Sequence, residues 1–397
     1  MKIGIEVQRL FRKKKFGIET SSLELIKTLQ EIEPTHEFVI FAKEDEDRSC
    51  LAASDNVKVR TVGGKFFADF EQMFLPIAAK REQVDLLHCT GNTAPLFSPA
   101  PLVQTLHDVI FMDAIPSGDS LYQRFGNLYR RRIVPLVTPR SKAVITVSQY
   151  EKERIVQRLG IKPEKIHVVY NGLNETRFHP KYCASQQEAV RIKYRLPEHF
   201  ILFLGNQTTR KNPARAIEAY VKYAAVKEDP LPLVTPGLTK RFVVGILKNL
   251  GYPYNEHQFI TPGYIDDPDL PVMYLLSNIF LFPSLSEGFG MPVIEAMACG
   301  VPVVSSSASC LPEIAGNAAM LANPLKADDM ASAMLSLVED TNLRNKKIEA
   351  GFRNARRFSW RRSAETIMSI YEAVYVHARA ARKHRGSFNK HVLAARD

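Results

Sequence analysis

The sequence is poor in cysteine and has no long apolar run. Its five cysteines are widely spaced and include no C-x-x-C pair, which excludes a disulfide framework or a cysteine zinc site and favours a reducing compartment. No segment approaches ~18 consecutive apolar residues, so no membrane-spanning helix is predicted. The apolar run at the start is too short for a signal peptide and is typical of a first core strand. These features predict a cytoplasmic protein.

Several catalytic motifs are absent as well. The chain contains no P-loop, no G-x-G-x-x-G, no G-x-S-x-G elbow and no His/Cys cluster with metal-ligand spacing. Asp-x-Asp triplets at residues 45–47 and 267–269 match a metal-binding pattern. The first lies in a charged loop and the second is typical of a helix start, so we interpret both as structural. The sequence therefore predicts neither a required metal nor a cofactor.

The length and charge of the chain indicate two domains and an anionic partner. Its 397 residues are too many for one ordinary core and suit two domains of about 150 to 200 residues each. The net charge of +11 favours a nucleic acid, an acidic membrane surface or a phosphorylated small molecule. A solvated basic surface without a specific role is the alternative.

Short apolar segments alternate with segments of helical periodicity, and the pattern starts again after the turn dipeptide Asn171-Gly172. Such alternation predicts an α/β fold of two doubly wound halves with largely parallel sheets. Ligands of such sheets bind at the carboxyl ends of strands. The predicted strands cover residues 2–7, 37–42, 57–62, 84–89, 102–108 and 143–148, then 200–206, 258–265, 279–284 and 301–306.

Two glutamates follow the predicted strand 279–284, Glu287 in a glycine-flanked loop and Glu295 in a short helix. Gly288 and Gly290 let the backbone approach a ligand closely, and the amides at the helix start favour a phosphate. Carboxylates accept hydrogen bonds from sugar hydroxyls. We interpret the segment as a nucleotide-sugar site, with one glutamate for a hexose and the other for a ribose. The alternative is a loop glutamate and a solvent-facing helix glutamate.

A second loop with suitable chemistry follows the predicted strand 200–206. Arg210 and Lys211 stand directly before a helix that we expect to begin at an Asn212 cap and Pro213. Cations at this position suit a departing diphosphate. An ordinary basic loop is the alternative.

In the first half, Gly17 lies between a strand and a helix, and His107 and Asp108 follow a strand. Gly17 could let the backbone close over a ligand, and His107 is a candidate for the catalytic site because of its position. A structural histidine is the alternative.

Taken in order, these motifs resemble family 4 glycosyltransferases. The segment "EGFGMPVIEAMACGVPVV", with Glu287 and Glu295, is similar to the family signature of two glutamates separated by seven residues. The likeness continues through "FGIETSSLEL", "TLHDVIF", "VITVSQY", "IHVVYNGLNETRF", "ILFLGNQTTRKNP", "TPGYIDDPDLPVMY" and "FSWRRSAE". In the loop "FGIETS" the chain departs from relatives, which often carry a glycine pair followed by Arg-Tyr.

The resemblance implies the GT-B fold, with two Rossmann-like doubly wound domains facing across a cleft. It places an acceptor-side domain at residues 1–172 and a donor domain at 173–374, with the segment 375–397 packing back on the first domain. The implied reaction is a metal-independent, retaining transfer from a nucleoside diphosphate sugar.

The resemblance also assigns roles to individual residues. Arg210 and Lys211 would hold the diphosphate, Glu287 the sugar hydroxyls and Glu295 the ribose, while His107 would line the sugar pocket. The catalytic set is therefore Glu287, Arg210, Lys211 and His107. The donor-binding set is Glu295, Gly288, Phe289, Gly290, Met291, Tyr264, Ile265, Gly17 and Gly205, in which the backbone near Tyr264 and Ile265 would contact the base and Gly17 the phosphates.

The overall likeness is strongest to mannosyltransferases of bacterial surface polysaccharide assembly, so GDP-mannose is the expected donor and a UDP-sugar the alternative. The expected acceptor is a glycan or a lipid-linked glycan, with peripheral contact to an anionic membrane at its inner face and no nucleic acid.

Two other classes of function compete with this prediction. A glycoside hydrolase would use Glu287 and Glu295 as acid and base, but it leaves Arg210 and Lys211 without a role. A basic protein that binds membranes or nucleic acid would use the charges at residues 12–15, 130–132 and 382–385 and the aromatic and basic segment 65–80. No nucleic-acid motif accompanies these charges.

Overall fold

Parallel strands form two separate sheets, one in each of two units, in the computed structural model. It describes residues 1–113 and 121–394, with the side chains of 121–123 and 382–394 left out of the description. One unit is Met1–Gly172 together with the segment that starts at Trp360, and the other is Leu173–Ser359.

The first unit contains a seven-stranded sheet in the order β3-β2-β1-β4-β5-β6-β7. Every neighbouring pair is parallel, with Ile3 of β1 opposite Phe38 of β2 and Leu86 of β4. The strand order reverses at β1 and β4, as in a doubly wound fold. The strands are β1 (Lys2–Glu6), β2 (Glu37–Ala42), β3 (Val57–Thr61), β4 (Leu86–Cys89), β5 (Leu102–Leu106), β6 (Ala143–Thr146) and β7 (Ile166–Val168).

Helices cover the faces of this sheet. The first one buries Leu25, Ile26 and Leu29, which recur at helical spacing. The helices before the crossover to the second unit are α1 (Gly17–Ile32), α2 (Phe67–Asp69), α3 (Leu75–Arg81), α4 (Leu121–Val137) and α5 (Gln149–Leu159), with a π-helical turn, Phe70–Phe74, between α2 and α3. Short 3-10 turns cover Arg48–Cys50, Ile110–Met112, Thr138–Arg140 and Pro163–Lys165.

The second unit contains a six-stranded parallel sheet in the order β10-β9-β8-β11-β12-β13. Its strands are β8 (Ile201–Leu202), β9 (Leu233–Val234), β10 (Phe259–Ile260), β11 (Ile279–Phe282), β12 (Val303–Ser306) and β13 (Met320–Ala322). Its helices are α6 (Ala184–Tyr194), α7 (Pro213–Ala224), α8 (Lys240–Asn249), α9 (Leu270–Leu276), α10 (Met291–Ala298), α11 (Leu311–Ala315), α12 (Ala327–Glu339) and α13 (Thr341–Ala355), with 3-10 turns at Thr209–Lys211, Asp267–Asp269 and Gly316–Ala318.

The last helix, α14 (Trp360–Ala394), belongs to the first unit. The predicted return of the chain at residue 375 is therefore wrong by 15 residues, because the side chains that enter the first unit's core precede that position. They recur at helical spacing and pack with β1 and α1; they are Ala364, Ile367, Met368, Ile370, Tyr371 and Val374.

A buried histidine connects this helix to the sheet. His88 of β4 makes hydrogen bonds to the Tyr371 hydroxyl from Nδ1 (2.6 Å) and to Thr105 Oγ1 from Nε2 (2.7 Å). Burial lowers the pKa of His88 to about 3, so the ring is neutral at ordinary pH. Both ring nitrogens are satisfied, which makes this a structural histidine.

Two Rossmann-like sheets with helices on their faces match the predicted fold class. Every predicted strand exists, although several are shorter than expected. The sequence did not identify β7, β9 and β13 as strands, and each of them has only two or three residues. None of the described helices is long and apolar enough to cross a membrane.

A close approach between two backbone segments of the first unit generates a stability prediction. A Cβ atom on Gly172 would lie 2.2 Å from the backbone nitrogen of Trp360, so Gly172→Ala must displace backbone and should lower the stability by roughly 1 to 3 kcal/mol. Gly245→Ala is the matched control, since a Cβ atom there meets no described atom within 4 Å and α8 should gain up to ~1 kcal/mol. Thermal unfolding followed by circular dichroism measures both. Equal midpoints for Gly172→Ala and the wild type would contradict the predicted overlap.

Candidate active site

Three neighbouring strands of the second unit carry polar loops at their carboxyl ends. In the sheet, β8 lies beside β11 and β11 beside β12. The loop after β8 holds Arg210 and Lys211, the loop after β11 holds Glu287, and the loop after β12 holds Ser309 and Cys310. Because parallel strands end at the same edge, the topology brings these three loops together.

Glu287 forms an ion pair with each of the two predicted cations. Arg210 Nη1 lies 2.6 Å from Glu287 Oε2, and Lys211 Nζ lies 2.6 Å from Oε1. Arg210 Nη1 also donates to the backbone oxygen of Ser286 (3.0 Å), and Lys211 Nζ lies 4.8 Å from the centre of the Phe282 ring. The carboxylate thus holds both cations and leaves the cluster with one net positive charge.

The burial of this cluster shifts its pKa values. Burial alone would raise the pKa of Glu287, but Lys211 and Arg210 outweigh it and lower that pKa below its ordinary value. Burial lowers the pKa of Lys211 although Glu287 acts in the opposite direction. Glu287 is therefore a fixed anion at neutral pH, which suits hydrogen bonding to hydroxyl groups better than proton donation.

Asn212 fixes the loop that carries the cations, but not in the way that the sequence suggested. It precedes α7 as expected, with Pro213 as the first helical residue, yet its side chain does not cap the helix. Its backbone is left-handed (φ 57°) and Nδ2 donates to the backbone oxygens of Pro283 (3.1 Å) and Pro324 (2.7 Å). Asn212 therefore connects the loop after β8 to the loop after β11.

The loop after β12 makes hydrogen bonds to the backbone of the Glu287 segment. The Glu287 amide donates to Ser309 Oγ (3.2 Å), and the Cys310 thiol donates to the backbone oxygens of Glu287 (3.0 Å) and Phe289 (3.2 Å). The sequence prediction missed Ser309 and Cys310. A usable signal existed, since "SASC" (residues 307–310) directly follows the predicted strand 301–306 of the same sheet.

The helix after Glu287 begins at a glycine. Gly290 occupies the cap position of α10 with φ 98° and has no side chain that could cap this helix. A Cβ atom on Gly290 would lie 2.6 Å from Leu311. Met291 is the first helical residue and Pro292 the second. An uncapped helix start of this kind suits an anion.

Glu295 lies inside this helix in a different environment from Glu287. Tyr274 donates a hydrogen bond to Glu295 Oε2 (3.0 Å). Burial raises the pKa of Glu295 to about 7, while Tyr274 and the positive charge of Arg177 act in the opposite direction. The sequence pattern identified neither Tyr274 nor Arg177 as neighbours of this glutamate.

The other predicted donor residues of this unit occupy loops or the same helix start. Tyr264 is exposed and Ile265 is buried, in the loop after β10. Phe289 is buried and packs edge-to-face on Phe358 with ring centres 5.5 Å apart, and Gly288 precedes it in the loop. The contacts of these residues with a donor stay a prediction.

Gly205 has a structural reason to be glycine. A Cβ atom there would lie 2.2 Å from the Phe203 ring. Packing against Phe203 therefore requires a glycine at this position, independently of any ligand contact.

Gly17 and His107 lie in the first unit. Gly17 is the first residue of α1, and no described atom lies within 4 Å of an ideal Cβ there. His107 Nε2 donates to the backbone oxygen of Thr90 (3.0 Å), and its amide donates to Asn92 Oδ1 (2.7 Å). Burial lowers the pKa of His107, with Asp108 acting in the opposite direction.

His107 also lines a small cavity of about 30 Å³ within the first unit. That volume suits a water molecule or two rather than a hexose. The role of His107 in a sugar pocket stays a prediction. The remaining lining includes Ser21, Ser22, Thr90, Thr105, Asn171 and Trp360.

The Asp-x-Asp triplet at Asp267–Asp269 forms a 3-10 turn before α9. Asp267 pairs with Arg177 (2.7 Å), and Asp269 pairs with Lys193 (2.6 Å) and accepts a hydrogen bond from Tyr194 (2.7 Å). These partners explain the two carboxylates as structural groups.

Two protein-family models match consecutive parts of the chain. "Glycosyltransferase Family 4" matches residues 17–177, and "Glycosyl transferases group 1" matches residues 186–354. Together they span most of the chain, which therefore belongs to the family 4 glycosyltransferases, as the sequence predicted.

Two similar proteins are named as mannosyltransferases. The serotype-specific mannosyltransferase WbdA of Escherichia coli is 31% identical over 57% of this chain and 28% of its own length. The O-antigen chain mannosyltransferase B of Escherichia coli is 28% identical over 58% of this chain and 61% of its own length. The chain thus spans little more than a quarter of the length of WbdA.

Among solved structures, Anabaena Alr3699/HepE in complex with UDP and glucose covers 94% of this chain and 100% of its own, with a TM-score of 0.71 and 20% identity. At this identity the similarity concerns the fold, and the predicted GT-B fold class is confirmed.

The raised pKa of Glu295 predicts how stability depends on pH. Its folded-state value of about 7 exceeds the ordinary 4.5, so its stabilising contribution is complete below about pH 4.5 and is lost as the pH rises through 7. Glu295→Gln removes this dependence. Relative to the wild type, the free energy of unfolding of this variant should rise by roughly 2 to 3 kcal/mol between pH 5 and pH 8.

Thermal unfolding of both proteins at each pH measures the difference between their free energies of unfolding. The contributions of the other titratable groups are the same in both proteins and cancel in this difference. Glu349→Gln, at an exposed position of α13, is the matched control. A constant difference between Glu295→Gln and the wild type across this range would show that Glu295 titrates normally.

Proposed function

We propose that the protein is a retaining glycosyltransferase that moves a hexose, mannose, from GDP-mannose to a glycan or lipid-linked acceptor in surface polysaccharide biosynthesis. The observation that carries this proposal is the cluster in which Glu287 holds Arg210 and Lys211 beside the uncapped start of α10. Cations and helix amides at one sheet edge are suited to a diphosphate.

The two cations would bind the diphosphate of the donor. Arg210 can contact phosphate oxygens with its planar fork, and Lys211 supplies a compact positive charge. Since Glu287 already fixes both side chains, little conformational entropy remains to be lost when a donor binds. The carboxylate retains lone pairs for the sugar hydroxyls.

Glu295 would bind the ribose of the nucleotide. An ionised carboxylate accepts hydrogen bonds from both hydroxyls of a ribose, whereas a protonated one has less acceptor capacity. With a pKa of about 7 in the protein, Glu295 would lose its proton as the ribose binds.

In the proposed reaction the bond between C1 of the sugar and the diphosphate oxygen breaks, and a bond from C1 to the acceptor oxygen forms on the same face. The hydroxyl proton passes to the departing phosphate oxygen. Arg210, Lys211 and the amides of α10 stabilise the negative charge that develops on the diphosphate. This scheme uses no metal ion and no covalent protein nucleophile.

The names of the relatives support the choice of sugar. Two Escherichia coli relatives are named mannosyltransferases, one of them for the O-antigen chain. The structure of HepE contains UDP and glucose, which keeps a UDP-sugar as the alternative donor. We also propose a cytoplasmic enzyme with peripheral contact to the inner face of an anionic membrane.

The glycoside hydrolase alternative fits the site poorly. A hydrolase needs one carboxyl group that is protonated at working pH and faces the scissile bond. Glu287 has a lowered pKa, and each of its oxygens is paired with a cation. Glu287 therefore cannot be that acid near neutral pH, and only Glu295, with a pKa of about 7, could be. What argues against the hydrolase is that it gives Arg210 and Lys211, both paired with Glu287, no role.

Nucleoside diphosphates should stabilise the folded protein. We expect GDP, and UDP if the alternative donor applies, to raise the melting temperature, because a ligand that selects the folded state must do so. The double variant Arg210→Gln/Lys211→Met should weaken the binding at least tenfold, measured by calorimetry. Arg215→Gln, an exposed position on α7, is the matched control. A double variant that binds as tightly as wild type would refute the assignment of the phosphate cations.

The sugar contact is testable by transfer. With GDP-mannose and UDP-sugars screened on the wild type, Glu287→Gln should lower kcat/KM for the active donor by about 100-fold to 1000-fold, because it loses an anion that positions both the sugar and the cations. Glu349→Gln should leave kcat/KM unchanged. Product configuration, read by NMR, should match that of the donor. Normal transfer by Glu287→Gln would contradict the assignment of Glu287 to the sugar hydroxyls. A product of inverted configuration would contradict the retaining mechanism.

A further inference from the structure

A pocket of about 280 Å³ lies at the amino-terminal edge of the second unit's sheet. Its lining comes from the starts of β8, β9 and β11, or the residues just before them, and from the adjoining ends of α12 and α13. The cluster of Glu287, Arg210 and Lys211 follows the carboxyl ends of β8 and β11. Because these strands are parallel, the pocket and the cluster lie at opposite edges of the same sheet.

One part of the pocket lining is apolar. Ile279 and Leu337 line the pocket and are buried in the core of the second unit. Leu231 and Val338 pack against that core but are only half-buried. The Leu231 amide donates to the Tyr223 hydroxyl (3.2 Å), which fixes this part of the lining. An apolar surface that the fold leaves uncovered favours a ligand whose apolar part removes it from water.

The polar part of the lining consists of His199, Asn278 and Arg344. Asn278 Oδ1 accepts a hydrogen bond from the Phe200 amide (2.9 Å), and Asn278 Nδ2 donates to His199 Nδ1 (3.4 Å). Because an amide nitrogen can only donate, Nδ1 is the acceptor and the neutral His199 ring carries its proton on Nε2. His199 Nε2 and the Arg344 guanidinium are therefore both hydrogen-bond donors.

Arg344 gives the pocket a positive charge. It lies near the start of α13 and is half-buried. No side chain in the described part of the chain forms an ion pair or a hydrogen bond with its guanidinium. The two carboxylates that precede it are engaged elsewhere, since Glu339 pairs with Lys227 (3.3 Å) and Asp340 accepts a hydrogen bond from the Leu343 amide (2.9 Å). The charge of the pocket therefore suits an anion.

We propose that this pocket binds a small anion with an apolar body, of the class of the aromatic carboxylates. The ring would cover Leu231, Ile279 and Val338, and the carboxylate would accept hydrogen bonds from Arg344 and His199. The pocket volume lies just below the range of about 300 to 1,000 Å³ that is typical of sites for drug-sized ligands, which suits a single ring and not a nucleotide. Inorganic phosphate would match the charge but would leave the apolar side chains uncovered.

Ligand-observed NMR titration of the full chain tests the pocket, with benzoate as the probe. We expect saturable binding of benzoate. Benzamide, which lacks the charge, and acetate, which lacks the ring, should each bind at least tenfold more weakly. Acetate that binds as tightly as benzoate would indicate a site for any anion and overturn the proposal. Equal binding of benzamide and benzoate, or no saturable binding of benzoate, would overturn it as well.

Two substitutions change the pocket in different ways. Arg344→Gln removes the charge and should weaken benzoate binding at least tenfold. Val338→Glu adds a carboxylate to the lining and should abolish saturable binding, because it repels the probe and occupies the space of its ring. The matched controls are Arg353→Gln, at an exposed position of α13, and Ser332→Glu, at an exposed position of α12, and both should bind benzoate like the wild type. Circular dichroism melting curves verify that each variant is folded.

A further variant locates the probe, because Arg210 and Lys211 would also attract a carboxylate. Arg210→Gln/Lys211→Met should bind benzoate as tightly as the wild type, since the pocket uses neither side chain. Loss of benzoate binding in this double variant, or full binding by Arg344→Gln and Val338→Glu, would overturn the proposal. The site goes beyond the proposed transfer reaction, and the titration uses neither a nucleotide nor an acceptor, so its outcome leaves that reaction to its own tests.

Discussion

The proposed chemistry depends on one carboxylate that holds two cations. Arg210 and Lys211 are adjacent in the chain and would repel each other. Glu287 pairs with each of them through a different carboxylate oxygen. A buried charge without a partner would cost several kcal/mol, so the largely buried Glu287 and Lys211 depend on each other, while Arg210 is more exposed. Ser309 and Cys310 fix the backbone on which the carboxylate is mounted. The result is a rigid cluster with a net positive charge, which is what a departing diphosphate requires.

The environment separates two glutamates that look equivalent in the sequence. Glu287 has a lowered pKa because two cations outweigh its burial, and Glu295 has a raised pKa because burial outweighs its partners. One is a permanent anion at the sheet edge, and the other can release a proton when a ligand binds. The pairing of Glu287 with both Arg210 and Lys211, rather than the pKa difference, supports a hydrogen-bonding role over that of a catalytic acid or base.

How far the sequence predicted the fold depended on segment length. Strands with four or more apolar residues, such as β2 and β11, were recognised because a buried parallel strand is a continuous apolar run. The strands β7, β9 and β13 have only two or three residues, too few for any period to emerge. The equally short β8 and β10 were predicted as parts of the longer segments 200–206 and 258–265. The return of the chain to the first unit was predicted at residue 375 instead of Trp360, since helical spacing does not say which core a helix enters.

By itself, the sequence determined the α/β class, the family signature and the residue types that suit a nucleotide sugar, because spacing and chemistry are local properties. Only the tertiary structure decided that Glu287 pairs with both cations, that Asn212 connects two loops instead of capping α7, and that Ser309 and Cys310 support the site. Contacts between loops after different strands span many residues, and they exist only once the parallel sheet has brought its carboxyl ends to one edge.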